Sequence, residues 1–113
     1  MTSLKVEITK KGDIGIITLE GLLDAHNAIL FSDALGELIS QKFTRIVVDF
    51  EKLNYLGSSG LEVILSRIQG IRNKGGDIAL ARTAPKIYKV FDLLGLTDFL
   101  KFYGSLDEAV SSF

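Results

Sequence analysis

Residues 45–62 read Arg45-Ile46-Val47-Val48-Asp49-Phe50-Glu51-Lys52-Leu53-Asn54-Tyr55-Leu56-Gly57-Ser58-Ser59-Gly60-Leu61-Glu62. The first six are nearly all apolar and β-branched, which marks a strand covered on both faces. Residues 52–57 read as a loop. A helix follows that carries Leu61, Ile64, Leu65, Ile68 and Ile71 on one face. A doubly covered strand feeding an amphipathic helix is the repeating unit of an α/β sheet.

Upstream, residues 4–9 alternate apolar and polar, as a half-buried strand does. Lys11-Gly12-Asp13 is a turn signal, and residues 14–20 form a second strand. The two make an antiparallel hairpin. Gly21 is expected to break that strand, with Asp24 or Asn27 capping a helix to about Gln41 on Leu30, Ala34, Leu35, Leu38 and Ile39. Downstream, 77–82 reads as a buried strand. Pro85 opens a helix with Ile87, Val90, Phe91 and Leu94 on one side, and Gly95 closes it. Residues 100–103 form a short strand, and Leu106, Ala109, Val110 and Phe113 repeat the helical spacing. The order β-β-α-β-α-β-α-β-α predicts an α/β fold. Its mixed sheet has four or five strands, with 46–50 central, an antiparallel N-terminal hairpin and helices packed against it.

The chain has 113 residues, the size of one domain, expected over 1–113. Its 47% hydrophobic and 24% charged residues argue against disorder. With 13 basic and 14 acidic side chains there is no basic excess to neutralise a phosphate backbone, so no nucleic-acid partner is expected. Charges interrupt every apolar run, so no membrane insertion is expected. The first seven residues carry no hydrophobic region of signal-peptide type. The absence of Cys removes disulfides and thiolate chemistry and fits a cytoplasmic address. A single His, His26, removes two-histidine zinc motifs, and metal chelation at Asp49 is not expected. Neither metal nor cofactor is expected.

In an open α/β sheet, function gathers beyond the carboxyl ends of the strands. There two adjacent hydroxyls, Ser58 and Ser59, lie between Gly57 and Gly60. Ser59 with Glu62 three residues on has the spacing of a capping box. Ser58 then sits just outside the helix with a free hydroxyl, close to unpaired amides and the positive dipole end. A phosphate there is partly stabilised by its host, while its charge of about −2 changes any docking surface. Helix capping alone also accounts for both serines. A serine hydrolase has less support, because His26 is the only base and no nucleophile elbow surrounds either serine.

The chain resembles a stand-alone STAS domain, the fold of bacterial anti-sigma factor antagonists, over about residues 4–110. Gly21-Leu22-Leu23-Asp24-Ala25-His26-Asn27-Ala28 is similar to the family's turn into the first helix. Ile46-Val47-Val48-Asp49-Phe50, with Leu53 and Tyr55-Leu56, resembles its central strand and loop. Ser58-Ser59-Gly60-Leu61 resembles its phosphoacceptor motif, while Lys74-Gly75-Gly76 and Phe91 with Gly95-Leu96 also fit. The family usually has Asp directly before the phosphoacceptor, and here that position is Gly57.

The resemblance implies a partner switch and no enzyme. The unphosphorylated chain binds an anti-sigma factor serine kinase and so frees a sigma factor. The kinase then phosphorylates Ser58, the complex falls apart, and a phosphatase resets it. The partner face is expected to use Asp24, Asn27, Gly57, Ser59, Gly60 and a partly exposed Leu61, on a monomer. Two alternatives stand beside this. One is an interaction module without phosphorylation, within a lipid-transport or stressosome-like assembly. The other is a sensor of a small anionic ligand at the helix start after Ser58.

Overall fold

The computed structural model describes residues 3–113; Met1 and Thr2, the start of the stretch read for a leader, lie outside it. Among the described residues five strands form one sheet: β1 (Leu4–Lys11), β2 (Ile14–Leu23), β3 (Arg45–Leu56), β4 (Asp77–Ala81) and β5 (Lys101–Tyr103), side by side in chain order. β1 pairs antiparallel with β2 across a tight turn at Gly12, whose φ of 62° favours glycine. Every other pairing is parallel. The expected mixed sheet and N-terminal hairpin are therefore found, with β3 third of five.

Helices α1 (Ala28–Ser40), α2 (Ser58–Asn73) and α3 (Pro85–Leu93) bury their apolar faces with one side of the sheet. Ile17, Leu19, Ile46, Val48, Phe50 and Leu80 of the strands meet Phe31, Leu35, Ile64, Ile68 and Phe91 of the helices, all at or near zero exposure. α4 (Leu106–Ser111) takes the other side, over Ile14, Ile16, Val47 and Ala79. Both faces of β3 are thus covered, as its β-branched run requires.

Both β2 and β3 run further than their sequence suggested. Gly21 does not end β2; it stays in the strand at φ 107°, and a side chain there would collide with the Ser3 carbonyl. Register shifts between Thr18 and Glu20 and between Gly21 and Leu22 bulge β2 against β3. The stretch 52–56 is accordingly strand rather than loop. Backbone pairing holds it although Lys52, Asn54 and Tyr55 are exposed.

Helix phases also differ in places. α1 buries Phe31, Ala34, Leu35 and Leu38, one helical stripe, and leaves the expected Leu30 exposed and Ile39 half-buried. Leu65 and Leu94 likewise face outward. Gly95 closes α3 as expected, at φ 71°.

Candidate functional site

The carboxyl ends of β2 and β3 are parallel neighbours, with Leu22 beside Tyr55 and Leu23 beside Leu56. The turn that leaves β2 and the junction that leaves β3 therefore emerge at the same edge. Asn27 fixes the first. It is 9% exposed; its Oδ1 accepts from the Asp24 amide at 3.0 Å and its Nδ2 donates to the Leu22 carbonyl at 2.8 Å. Asp24 Oδ1 in turn accepts from the His26 amide at 2.9 Å. Both side chains close the turn, and neither caps α1 through a side-chain hydrogen bond.

At the second junction α2 starts earlier than its spacing implied. Gly57 is the N-cap, at φ −88° and ψ 171°, and Ser58 is the first helical residue. No side-chain oxygen caps this helix. The capping box expected of Ser59 and Glu62 is therefore absent: Ser59 already lies inside the first turn, and Glu62 is the fifth helical residue, out of reach of the cap. That chemistry occurs instead at Ser105, whose Oγ accepts from the Glu108 amide at 3.0 Å and starts α4. Ser58 is exposed, and the first turn of α2 contains no acidic residue. The leading amides of a helix have no intrahelical acceptor. Here the Gly60 amide turns back to the Gly57 carbonyl at 3.1 Å.

Gly60 is buried, and a Cβ on it would lie 2.6 Å from Leu23 Cδ2 and 2.7 Å from Leu56 Cδ1. The residue lets α2 sit directly on the ends of both strands. Leu61 is 4% exposed and belongs to the core, so the partly exposed Leu61 expected at the face is not found. Helical geometry explains this, because a helix beginning at Ser58 turns Leu61, Ile64, Ile68 and Ile71 inward together.

The apolar surface at this edge comes from residues that periodicity did not single out. Tyr55 is 52% exposed, and Ile29 and Leu30 at the start of α1 are 61% and 46% exposed. A shallow groove of about 350 Å³ joins the two helices, with Ile29 and Ala28 on one side and Ser59, Glu62 and Val63 on the other. The available signal was Ile29 and Leu30, apolar residues off the core stripe of an amphipathic helix. Among the described residues no cluster of His, Cys, Asp or Glu could hold a metal ion.

Asp49 is almost fully buried and receives Arg82, with Nη2 to Oδ2 at 2.6 Å and Nε to Oδ1 at 3.1 Å. Arg82 also reaches Glu51 at 3.0 Å, and its guanidinium pKa is raised, first by the hydrogen bond to Asp49. The carboxylate is thus structural, tying β3 to the end of β4.

The model of the STAS domain family matches residues 5–109. The anti-sigma F factor antagonist of Paenibacillus polymyxa is 30% identical over 102 residues, which cover 89% of this chain and 87% of that protein. The solved structure of the anti-sigma factor antagonist SpoIIAA in its unphosphorylated form is similar at a TM-score of 0.80 and 26% identity, over 97% of this chain and 95% of that one. The phosphorylated form of SpoIIAA, a Bacillus cell fate determinant, aligns at a TM-score of 0.73 and 26% identity, over 97% and 98% of the two chains. No described helix is long and apolar enough to cross a membrane.

Proposed function

Because the chain belongs to the STAS domain family, we propose that it is an anti-sigma factor antagonist, switched by phosphorylation of Ser58. Unmodified, it binds an anti-sigma factor serine kinase in the cytoplasm as a monomer and so releases a sigma factor. Phosphorylation ends the complex, and a phosphatase restores the binding form. The chain acts as ligand and substrate rather than as catalyst.

The observation that carries this reading is the position of Ser58. It is an exposed hydroxyl at the first residue of α2, beside the turn at Asp24 and Asn27 and next to exposed Tyr55. A phosphate there meets free amides and the positive end of a sixteen-residue helix, so the folded chain tolerates it. A partner packed over Tyr55 and Ile29 does not. It must strip water from about two negative charges that the surrounding apolar surface cannot replace. Asp24, Asn27, Gly57, Ser59, Gly60 and Leu61 take two roles in this reading. Asp24 and Ser59 offer polar contacts at the rim, while Asn27, Gly57, Gly60 and Leu61 hold the face from beneath.

The test is incubation with the kinase and ATP, followed by intact mass and binding measurements on the product. Addition of one phosphoryl group to the wild type and none to Ser58→Ala, with loss of kinase binding on modification, is expected. Gly57 favours one further reading, since the phosphoacceptor lacks its usual neighbouring carboxylate. If the kinase binds but transfers nothing, the chain is an interaction module without phosphorylation.

A further inference from the structure

Beside the C-terminal ends of α1 and α2 lies a cleft of about 390 Å³. Its lining along α2 runs from Ser66 to Lys74, which by helical rise puts its middle roughly 18 Å from Ser58. It shares only Ser66 with the groove beside Ile29 and otherwise lies apart from the face described above.

The charges around it are one-sided. Lys42, Arg67 and Lys74 line it, and no Asp or Glu does so among the described residues. Among the described residues Lys5, Arg45, Arg72, Arg82 and Lys101 sit in ion pairs, while Lys10, Lys11, Lys52, Lys86 and Lys89, which do not line the cleft, do not. None of the three at the cleft is paired among the described residues. Lysines near helix ends offset the negative dipole end there, which accounts for Lys42 and Lys74. The effect fades within one turn, and Arg67 stands six residues before the end of α2.

Two residue identities go against the preference of the backbone that carries them. Lys42 follows the C-cap of α1 at φ 72°, in the left-handed region where glycine is the unstrained residue. A glycine there would remove a cation from the cleft. Gly70 lies inside α2 without a positive φ, and a Cβ on it would meet nothing within 4 Å. Neither packing nor conformation asks for glycine, which weakens a helix by about 1 kcal/mol relative to alanine. What Gly70 does is leave the wall of the cleft low. The floor is apolar, formed by Ile39, Phe43 and Ile71.

We infer that this cleft binds a small amphiphilic anion, an organic carboxylate or phosphate ester. Lys42, Arg67 and Lys74 hold its head group, and its apolar body lies on Ile39, Phe43 and Ile71. The volume falls in the range of about 300–1,000 Å³ typical of small-molecule sites. Charge complementarity selects the sign of the ligand. The apolar floor selects an organic anion over an inorganic one.

Decanoate and decyl phosphate are suitable probes, with decanol as the neutral counterpart, followed by amide chemical shifts of the full chain. Saturable binding of at least one anion is expected, with a Kd below about 1 mM. The shifts should centre on Lys42, Phe43, Arg67, Gly70 and Lys74 and leave Ser58 unmoved. Decanol should bind at least about tenfold more weakly, and Arg67→Gln should weaken the anion by about tenfold. Gly70→Leu should block binding while its spectrum remains folded and Ser58 remains a kinase substrate, whereas Gly70→Ala should bind normally. Decanol binding equal to the anions, or shifts gathered at exposed Leu93 and Leu94, would overturn the inference. So would shifts at the cleft that follow protein concentration without probe, which would assign the cleft to a second copy of the chain.

Discussion

The Gly57 amide donates a 2.9 Å hydrogen bond to the Leu23 carbonyl, joining the last residue of β2 to the residue that caps α2. The relative placement of Ser58 and Asp24 is thus set by main chain. The exposed Ser58 side chain can be exchanged without moving this main-chain link, which makes it suited to substitution experiments.

Ser58→Ala should change stability by less than about 0.5 kcal/mol, because the residue is exposed and its side chain caps nothing. Ser59→Ala should be equally mild, where a capping serine would cost about 1 kcal/mol. Ser58→Asp should weaken kinase binding less than phosphorylation does, since it brings one charge and fewer acceptor oxygens. Thermal melts and calorimetry check both. Equal affinity for wild type, Ser58→Asp and phosphoprotein would remove the switch from this residue.

Gly57→Asp should stabilise the fold by a few tenths of a kcal/mol, up to about 1. The backbone there is extended, a conformation open to any residue, and an added Cβ would stand 3.4 Å from Tyr55 and 3.5 Å from the Leu23 carbonyl. An aspartate could then accept from the free amides of the first turn. A lowered melting temperature would show that Tyr55 cannot yield.

Gly60→Ala should cost about 1–3 kcal/mol, because its methyl group overlaps Leu23 and Leu56 at the point where α2 rests on the sheet. Urea unfolding measures it. Adding Leu23→Ala should make the second change cost less than it does alone. Simple additivity would contradict the proposed contact.

Arg82→Gln should destabilise by about 2–3 kcal/mol, leaving the Asp49 carboxylate, 5% exposed, without its cation. The figure is set below that of a fully buried pair because Arg82 itself is 32% exposed. Asp49→Asn combined with Arg82→Gln should be closer to wild type than Arg82→Gln alone. A double-mutant cycle with no coupling would contradict this.

The elements and the order of the sheet are legible because burial and periodicity coincide in them. Leu4, Val6 and Ile8 alternate with polar residues, and β3 carries its β-branched run on both covered faces. Where pairing rather than burial holds a segment, the pattern fails, as at Asn54 and Tyr55. The start of α2 is not legible, because Ser-x-x-Glu spacing cannot tell a cap from a first turn; the glycine before it holds the cap position without a side-chain signal. Meeting of the Asp24 turn with Ser58 followed from two parallel neighbouring strands and was foreseeable. The link between Asp49 and Arg82 was not, since it spans 33 residues and rests on where β4 ends.

Strand order along the sheet is the order of synthesis. No strand has to be inserted between two that are already joined, so each one adds to a waiting edge as it leaves the ribosome, at roughly 5–20 residues per second. The last, β5, is three residues long. On that side it leaves an edge too short to template another chain, although every earlier stage offers a longer one there, while β1 keeps an eight-residue edge on the other side. On the growing side the sheet is therefore most exposed to mispairing after β3 is made and before β4 covers it, an interval set by translation speed rather than by the stability of the folded protein.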